Sequence, residues 1–160
     1  PSDYTADGVG LSPPLQWTGV PPQAASVVLI VEDADAPTPQ PLVHAIVVDL
    51  EGADGALAAG ALPSPGHDAE ADITPGRNSM LRARWLPPDP PPGHGPHRYV
   101  FQVFALEEGA ALGGTPGRGA VLEALRDHGL AGGYMIGVYE RPDGSIPLAD
   151  AATVTRRQQV

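Results

Sequence analysis

Prolines recur so closely along this chain that few stretches are left for a long helix. Pro fills 20 of 160 positions, with pairs at Pro13-Pro14, Pro21-Pro22 and Pro87-Pro88 and a run from Pro90 to Pro92. Each lacks an amide hydrogen and fixes φ, so it interrupts helices and central strands alike. Gly fills another 20 positions, and 40 such residues in 160 is a composition at which low complexity has to be considered. Val27 to Val31, Ile46 to Val48 and Val100 to Phe104 argue against disorder, because they are dense in β-branched and aromatic residues. The breakers therefore punctuate short strands, and the length suits a single mainly β domain.

Residues 1–25 read as polar extended chain rather than helix. Ser26 to Asp33 follows with a continuous apolar run, the pattern of a central strand covered on both faces. The loop Ala34 to Pro41 leads to a second strand at Val43 to Leu50, and residues 51–76, small and without a period, read as surface loop. The prolines at 87–92 make a rigid loop before a third strand, Arg98 to Leu106. One helix is predicted at about Arg118 to His128, with Val121, Leu122 and Leu125 on its buried face and Gly129 ending it. Tyr134 to Glu140 reads as the last strand. The domain is expected to span 1–141, with 142–160 a polar C-terminal extension.

Nine arginines against nineteen carboxylates give 9 − 19 = −10, a charge that repels nucleic-acid phosphates and anionic lipid surfaces. With no Cys there is no disulfide, thiolate metal site or cysteine nucleophile. No apolar stretch is long enough for a membrane-spanning helix and no signal peptide is visible, so a cytoplasmic location without integral membrane association is expected.

Titratable residues concentrate in Glu32-Asp33-Ala34-Asp35-Ala36-Pro37, in Val43-His44, and in His94-Gly95-Pro96-His97-Arg98-Tyr99. Strand alternation puts His97 and Tyr99 on one face and Arg98 on the other, and places His44 with Ile46 and Val48. If these segments are neighbours in one sheet, Asp33, Asp35, His44, His97 and Tyr99 converge beside the proline loop. Taken alone, Asp33 and Asp35 would form an Asx turn, and Arg98 an ion pair. Asp33, His44 and His97 would also suit a metal, but no HxH or HExxH spacing supports one. No metal or cofactor is expected. Trp17, Trp85, Phe101 and Phe104 read as core, and His67, His94 and His128 as surface.

The ordered set Ser12-Pro13-Pro14-Leu15-Gln16-Trp17, Asp33-Ala34-Asp35-Ala36-Pro37, the His44 strand, Gly76-Arg77-Asn78, Gly95-Pro96-His97-Arg98-Tyr99-Val100-Phe101 and Gly137-Val138-Tyr139-Glu140-Arg141 resembles the phosphatidylethanolamine-binding protein (PEBP) family. The likeness is to its bacterial and archaeal branch, the Raf kinase inhibitor-like proteins. It implies a β-sandwich of a large antiparallel or mixed sheet and a smaller one, with one or two short helices. It also implies a pocket for phosphate or a phosphorylated head group, built from Asp33, Asp35, Pro37, His44, Pro88, Pro90, Pro91, His97 and Tyr99, with Arg98 and Asp89 at its margin. Family members regulate kinases or proteases through such a pocket.

The sequence departs from the family pattern at Ala34, Ala45, Met80-Leu81, Pro87 and Asp89, and Asp89 near the mouth would weaken binding of a dianion. Asp33 would itself repel phosphate unless two cationic histidines reverse the balance, with Asp33 orienting and charging one of them. Backbone N–H groups of the Gly93 to Gly95 turn would complete the cradle. The leading expectation is a small-anion-binding protein. The alternative is a small-molecule enzyme using the same Asp/His set for acid–base chemistry.

Overall fold

A computed structural model of the chain describes residues 1–68 and 72–142. A 3-10 turn at Ser2–Tyr4 precedes the strands β1 (Leu15–Trp17), β2 (Ser26–Asp33), β3 (Leu42–Glu51), β4 (Gly55–Leu57), β5 (Thr74–Pro75) and β6 (His97–Leu106), followed by α1 (Arg118–His128) and β7 (Gly129–Tyr139). Five strands form one antiparallel sheet in the order β5-β3-β2-β6-β7, and β1 pairs antiparallel with β4 in a second. The fold is mainly β with one α-helix, as expected. Most of the expected 142–160 extension lies outside the described residues.

The continuous apolar run of β2 has the predicted consequence: the strand is central and every residue from Val27 to Asp33 is buried. Val28 and Ile30 pack with Ile46, Val48, Leu106, Val121 and Ala124 under α1. Leu29 and Val31 face the other way and pack with Ala45, Val47, Leu57, Leu62 and Trp85, the layer that β1 and β4 cover. Among the described residues no helix is long and apolar enough to cross a membrane.

Four sequence readings change. Residues 1–25 contain the 3-10 turn and β1 rather than extended chain alone. Residues 51–76 are not simply surface loop, since they hold β4 and β5 and bury Leu57, Ala61 and Leu62. Single apolar anchors among Gly, Ala and Pro have no period, so their burial leaves no pattern.

On α1 the buried residues are Val121 and Ala124, while Leu122 is 43% exposed. Gly129 ends the helix with extended backbone at φ −69 rather than a left-handed cap, and the chain passes directly into β7. That strand therefore starts at Gly129 and not at Tyr134. Its glycines hide it from propensity, yet one is required there: a Cβ on Gly132 would lie 2.7 Å from the ring of Phe104 on β6. Leu122→Gln is accordingly expected to change stability by less than about 0.5 kcal/mol. Val121→Ala, at a fully buried position, should cost about 2 kcal/mol in chemical denaturation.

Candidate functional site

The ends of β2 and β6 place Asp33, His97 and Tyr99 together on the face of the large sheet that also carries Trp85 and Phe101. His44 reaches the same place through a β-bulge. Val31 pairs with Ala45 and Glu32 with Val43, so His44 is the extra residue between two register pairs. A bulge re-aims the side chain it carries. His44 therefore packs edge-on against Tyr99 at 5.1 Å and near Trp85 at 6.1 Å, instead of sharing the face of Ile46 and Val48. Leu86 fixes it twice: its N–H donates to the His44 carbonyl at 2.8 Å, and its carbonyl accepts from the ring Nδ1 at 2.6 Å.

His97 lies 2.6 Å through Nδ1 from Asp33 Oδ2, both residues being buried. A carboxylate only accepts, so Nδ1–H is the donor and Nε2 is the end of the ring that points away from Asp33. Asp33 Oδ1 accepts the Asp35 N–H at 2.9 Å, so both carboxylate oxygens are engaged. His94 joins the chain, with its Nδ1 2.8 Å from His97 Nε2. A hydrogen-bonded line thus runs from buried Asp33 through His97 to exposed His94.

Burial pushes His44 below the ordinary histidine value, outweighing the Leu86 hydrogen bond and the Asp33 charge. Its ring is therefore neutral, with Nδ1–H spent on Leu86 and Nε2 left as an acceptor. Among the described residues at this site His97 is paired with a carboxylate and His44 is not, so the expectation of two cationic histidines does not hold: His44 is an acceptor. Burial, aided by the Asp33 charge, pushes the Tyr99 hydroxyl up, and it keeps its proton.

These side chains line a cleft of about 220 Å³ with Pro37, Thr38, Leu42, Met80, Leu86, Pro87, Asp89, Pro90 and Pro91. Asn78 shapes one wall: its Oδ1 accepts from the N–H groups of Met80 and Arg82, and its Nδ2 donates to the Arg84 carbonyl. A larger cleft of about 600 Å³, with Arg77 and Arg118 in its walls, contains none of the histidines. Arg118 there is held by Glu32 at 2.6 Å.

The chain matches the family model described as phosphatidylethanolamine-binding protein over residues 1–140. It belongs to the PEBP family. Among curated relatives, UPF0098 proteins of Aquifex aeolicus and Methanothermobacter thermautotrophicus are 37% and 35% identical, each alignment covering 88% of this chain and 81% and 90% of theirs. Among solved structures, a PEBP homologue from Chlamydia trachomatis matches with a TM-score of 0.75 at 34% identity, covering 88% of both chains. E. coli YbcL, described as a member of the mammalian PEBP family, matches with a TM-score of 0.73 at 31% identity over 84% of this chain and 82% of its own.

In this PEBP, the expected site residues divide. Asp33, Pro37, His44, Asp89, Pro90, Pro91, His97 and Tyr99 line one cleft. Asp35 does not line it. Its carboxylate takes the Arg98 N–H at 2.8 Å and the guanidinium at 2.9 and 2.7 Å, and that guanidinium holds it well below the usual carboxylate range. Asp35 and Arg98 thus clasp the β2 and β6 ends from outside. Pro88 turns into a neighbouring cleft of about 320 Å³ shared with Tyr4, Trp85 and Tyr99.

Asp89 is less repulsive than the sequence suggested, because Arg141 bonds it and also bonds Asp7, whose carboxyl is lowered to about 2 by Arg141 and the Tyr139 hydroxyl. The Gly93 to Gly95 turn does use left-handed glycines, but the Gly93 N–H goes to the Arg141 carbonyl and the His94 N–H to the Pro91 carbonyl. Those two N–H groups are not part of a cradle. His94, expected at the surface, is exposed and also bonds His97. Its signal was the three-residue spacing to His97 across Gly95-Pro96, which turns one imidazole back onto the other.

Proposed function

We propose that this cleft binds the phosphoryl group of a small anion or head group, and that the protein is a binding module. The observation that supports this best is the buried Asp33–His97 pair, which leaves His97 Nε2 at the cleft with a carboxylate behind it to sustain a cation. With exposed His94 turned off its Nε2, a protonated His97 and the Tyr99 hydroxyl would donate to phosphate oxygens between apolar walls of Pro37, Pro87, Pro90 and Pro91. The enzyme alternative, acid–base chemistry by the same Asp/His set, has less support: Asp33 is spent on His97 and the Asp35 N–H, and His44 Nδ1 on the Leu86 carbonyl.

The test is an NMR titration of the histidine side chains with inorganic phosphate and with O-phosphoethanolamine. Saturable shifts of His44 and His97 are expected. Affinity should fall as pH rises from about 5.5 to about 8.5, because the imidazolium donor is lost as pH rises. Equal affinity at both ends would sink the reading.

A further inference from the structure

Two buried polar atoms at the cleft have no protein partner among the described residues: His44 Nε2 and the Tyr99 hydroxyl oxygen. Their hydrogen-bonding roles differ. His44 has spent Nδ1–H on the Leu86 carbonyl, so Nε2 offers only a lone pair. Tyr99 retains a proton to donate. A buried acceptor left unmade costs more than a made bond returns, so the site is matched by a ligand that supplies one donor and one acceptor side by side.

Among the other charged groups at the cleft, Asp33 has both oxygens on N–H groups, and Asp89 is bonded by Arg141 through Oδ1 only and is largely exposed, so neither is a buried acceptor left unmade. His97 Nε2 meets His94 Nδ1 at 2.8 Å and can donate to the ligand only when exposed His94 turns away.

Resting on the anion reading above, we propose that the cleft selects oxyanions that carry an acidic hydrogen, as inorganic phosphate and phosphomonoesters do in their monoanionic form, over sulfate and phosphodiesters, which have none. The P–OH donates to His44 Nε2, and the remaining oxygens accept from Tyr99 and the His97 cation. Sulfate would present an oxygen lone pair to the His44 lone pair. It could be accommodated only if His44 itself gained a proton, which its burial opposes. Ligand and proton therefore enter together.

The experiment compares four probes on the intact chain at about pH 6, near the second ionisation of a phosphomonoester. They are inorganic phosphate, sulfate, O-phosphoethanolamine and glycerophosphoethanolamine; the last two share a head group and differ in whether a P–OH exists. Sites built around a hydrogen bond reject analogues that lack it by large factors, so sulfate and the diester should bind about 100-fold more weakly than phosphate and the monoester. Sulfate or the diester binding within about tenfold of its partner would overturn the selectivity and leave the anion cleft standing. Failure of all four would overturn the cleft as an anion site, and the selectivity with it. In His44→Gln the side-chain amide can donate as well as accept, and sulfate should gain on phosphate. Selectivity unchanged in that variant would overturn the assignment to His44.

Discussion

Asp33→Asn is expected to leave the fold standing while weakening phosphate binding roughly ten- to a hundredfold at about pH 6. Asp33 has no free oxygen for a ligand. Oδ2 accepts from His97 and Oδ1 from the Asp35 N–H, so it acts through His97 as a positioning residue. A buried charge without its partner is strongly disfavoured, and Asp33 is the carboxylate that faces the 2%-exposed imidazole at 2.6 Å. Asn keeps the shape but not the charge, and it brings one acceptor oxygen to two N–H groups. Either the Asp35 contact or the His97 contact becomes donor against donor, or His97 changes tautomer.

The pH profile separates this from a merely structural effect. Wild-type affinity should climb as pH falls and the imidazolium forms, whereas the Asn variant should respond weakly over the same range. Calorimetric titration at about pH 5.5 and about pH 8.5 reads both. A variant as tight as wild type, with the same pH dependence, would remove Asp33 from the site.

What the sequence made legible follows from how local each signal is. Continuous β-branched runs gave β2, β3 and β6 to within a residue or so, and apolar spacing gave the bounds of α1, because those patterns lie within one element. Alternation correctly set His97 and Tyr99 against Arg98. It misplaced His44 because a bulge adds a residue to one strand only, and nothing within β3 announces the register of its partner. The ordered motifs pointed to Asp33, His44 and His97 through resemblance.

Contacts between distant segments were not legible. Arg141 neutralising Asp89 joins residues 52 apart, and Asp35 clasping Arg98 joins residues 63 apart. The resemblance grouped Asp35 and Pro88 with the pocket, yet the one is tied to an exposed guanidinium and the other opens on the neighbouring cleft. Proximity in motif order does not decide which side of a loop a side chain takes.

Trp85→Ala should carry the largest stability loss, about 3–5 kcal/mol, in a domain whose total is on the order of 5–15 kcal/mol. The indole is 2% exposed and stacks on Phe101 at 6.2 Å, beside His44 at 6.1 Å. Its removal opens a cavity between the small sheet and the large one, under the bulge that aims His44 into the cleft. The indole N–H has no partner among the described residues, so Trp85→Phe deletes an unsatisfied donor along with part of the volume. That variant should cost less than half as much as Ala, and it should retain phosphate binding. Trp17 is the internal comparison, being only partly buried with its N–H donating to the Ala53 carbonyl at 3.0 Å. Denaturation midpoints for Trp85→Ala, Trp85→Phe and Trp17→Ala, with phosphate titrations on those that fold, read stability and site together. A Trp85→Ala cost below about 1 kcal/mol would mean that the layer between the sheets collapses around the missing ring. His44 would then owe its aim to the Leu86 hydrogen bonds rather than to the packing beneath it.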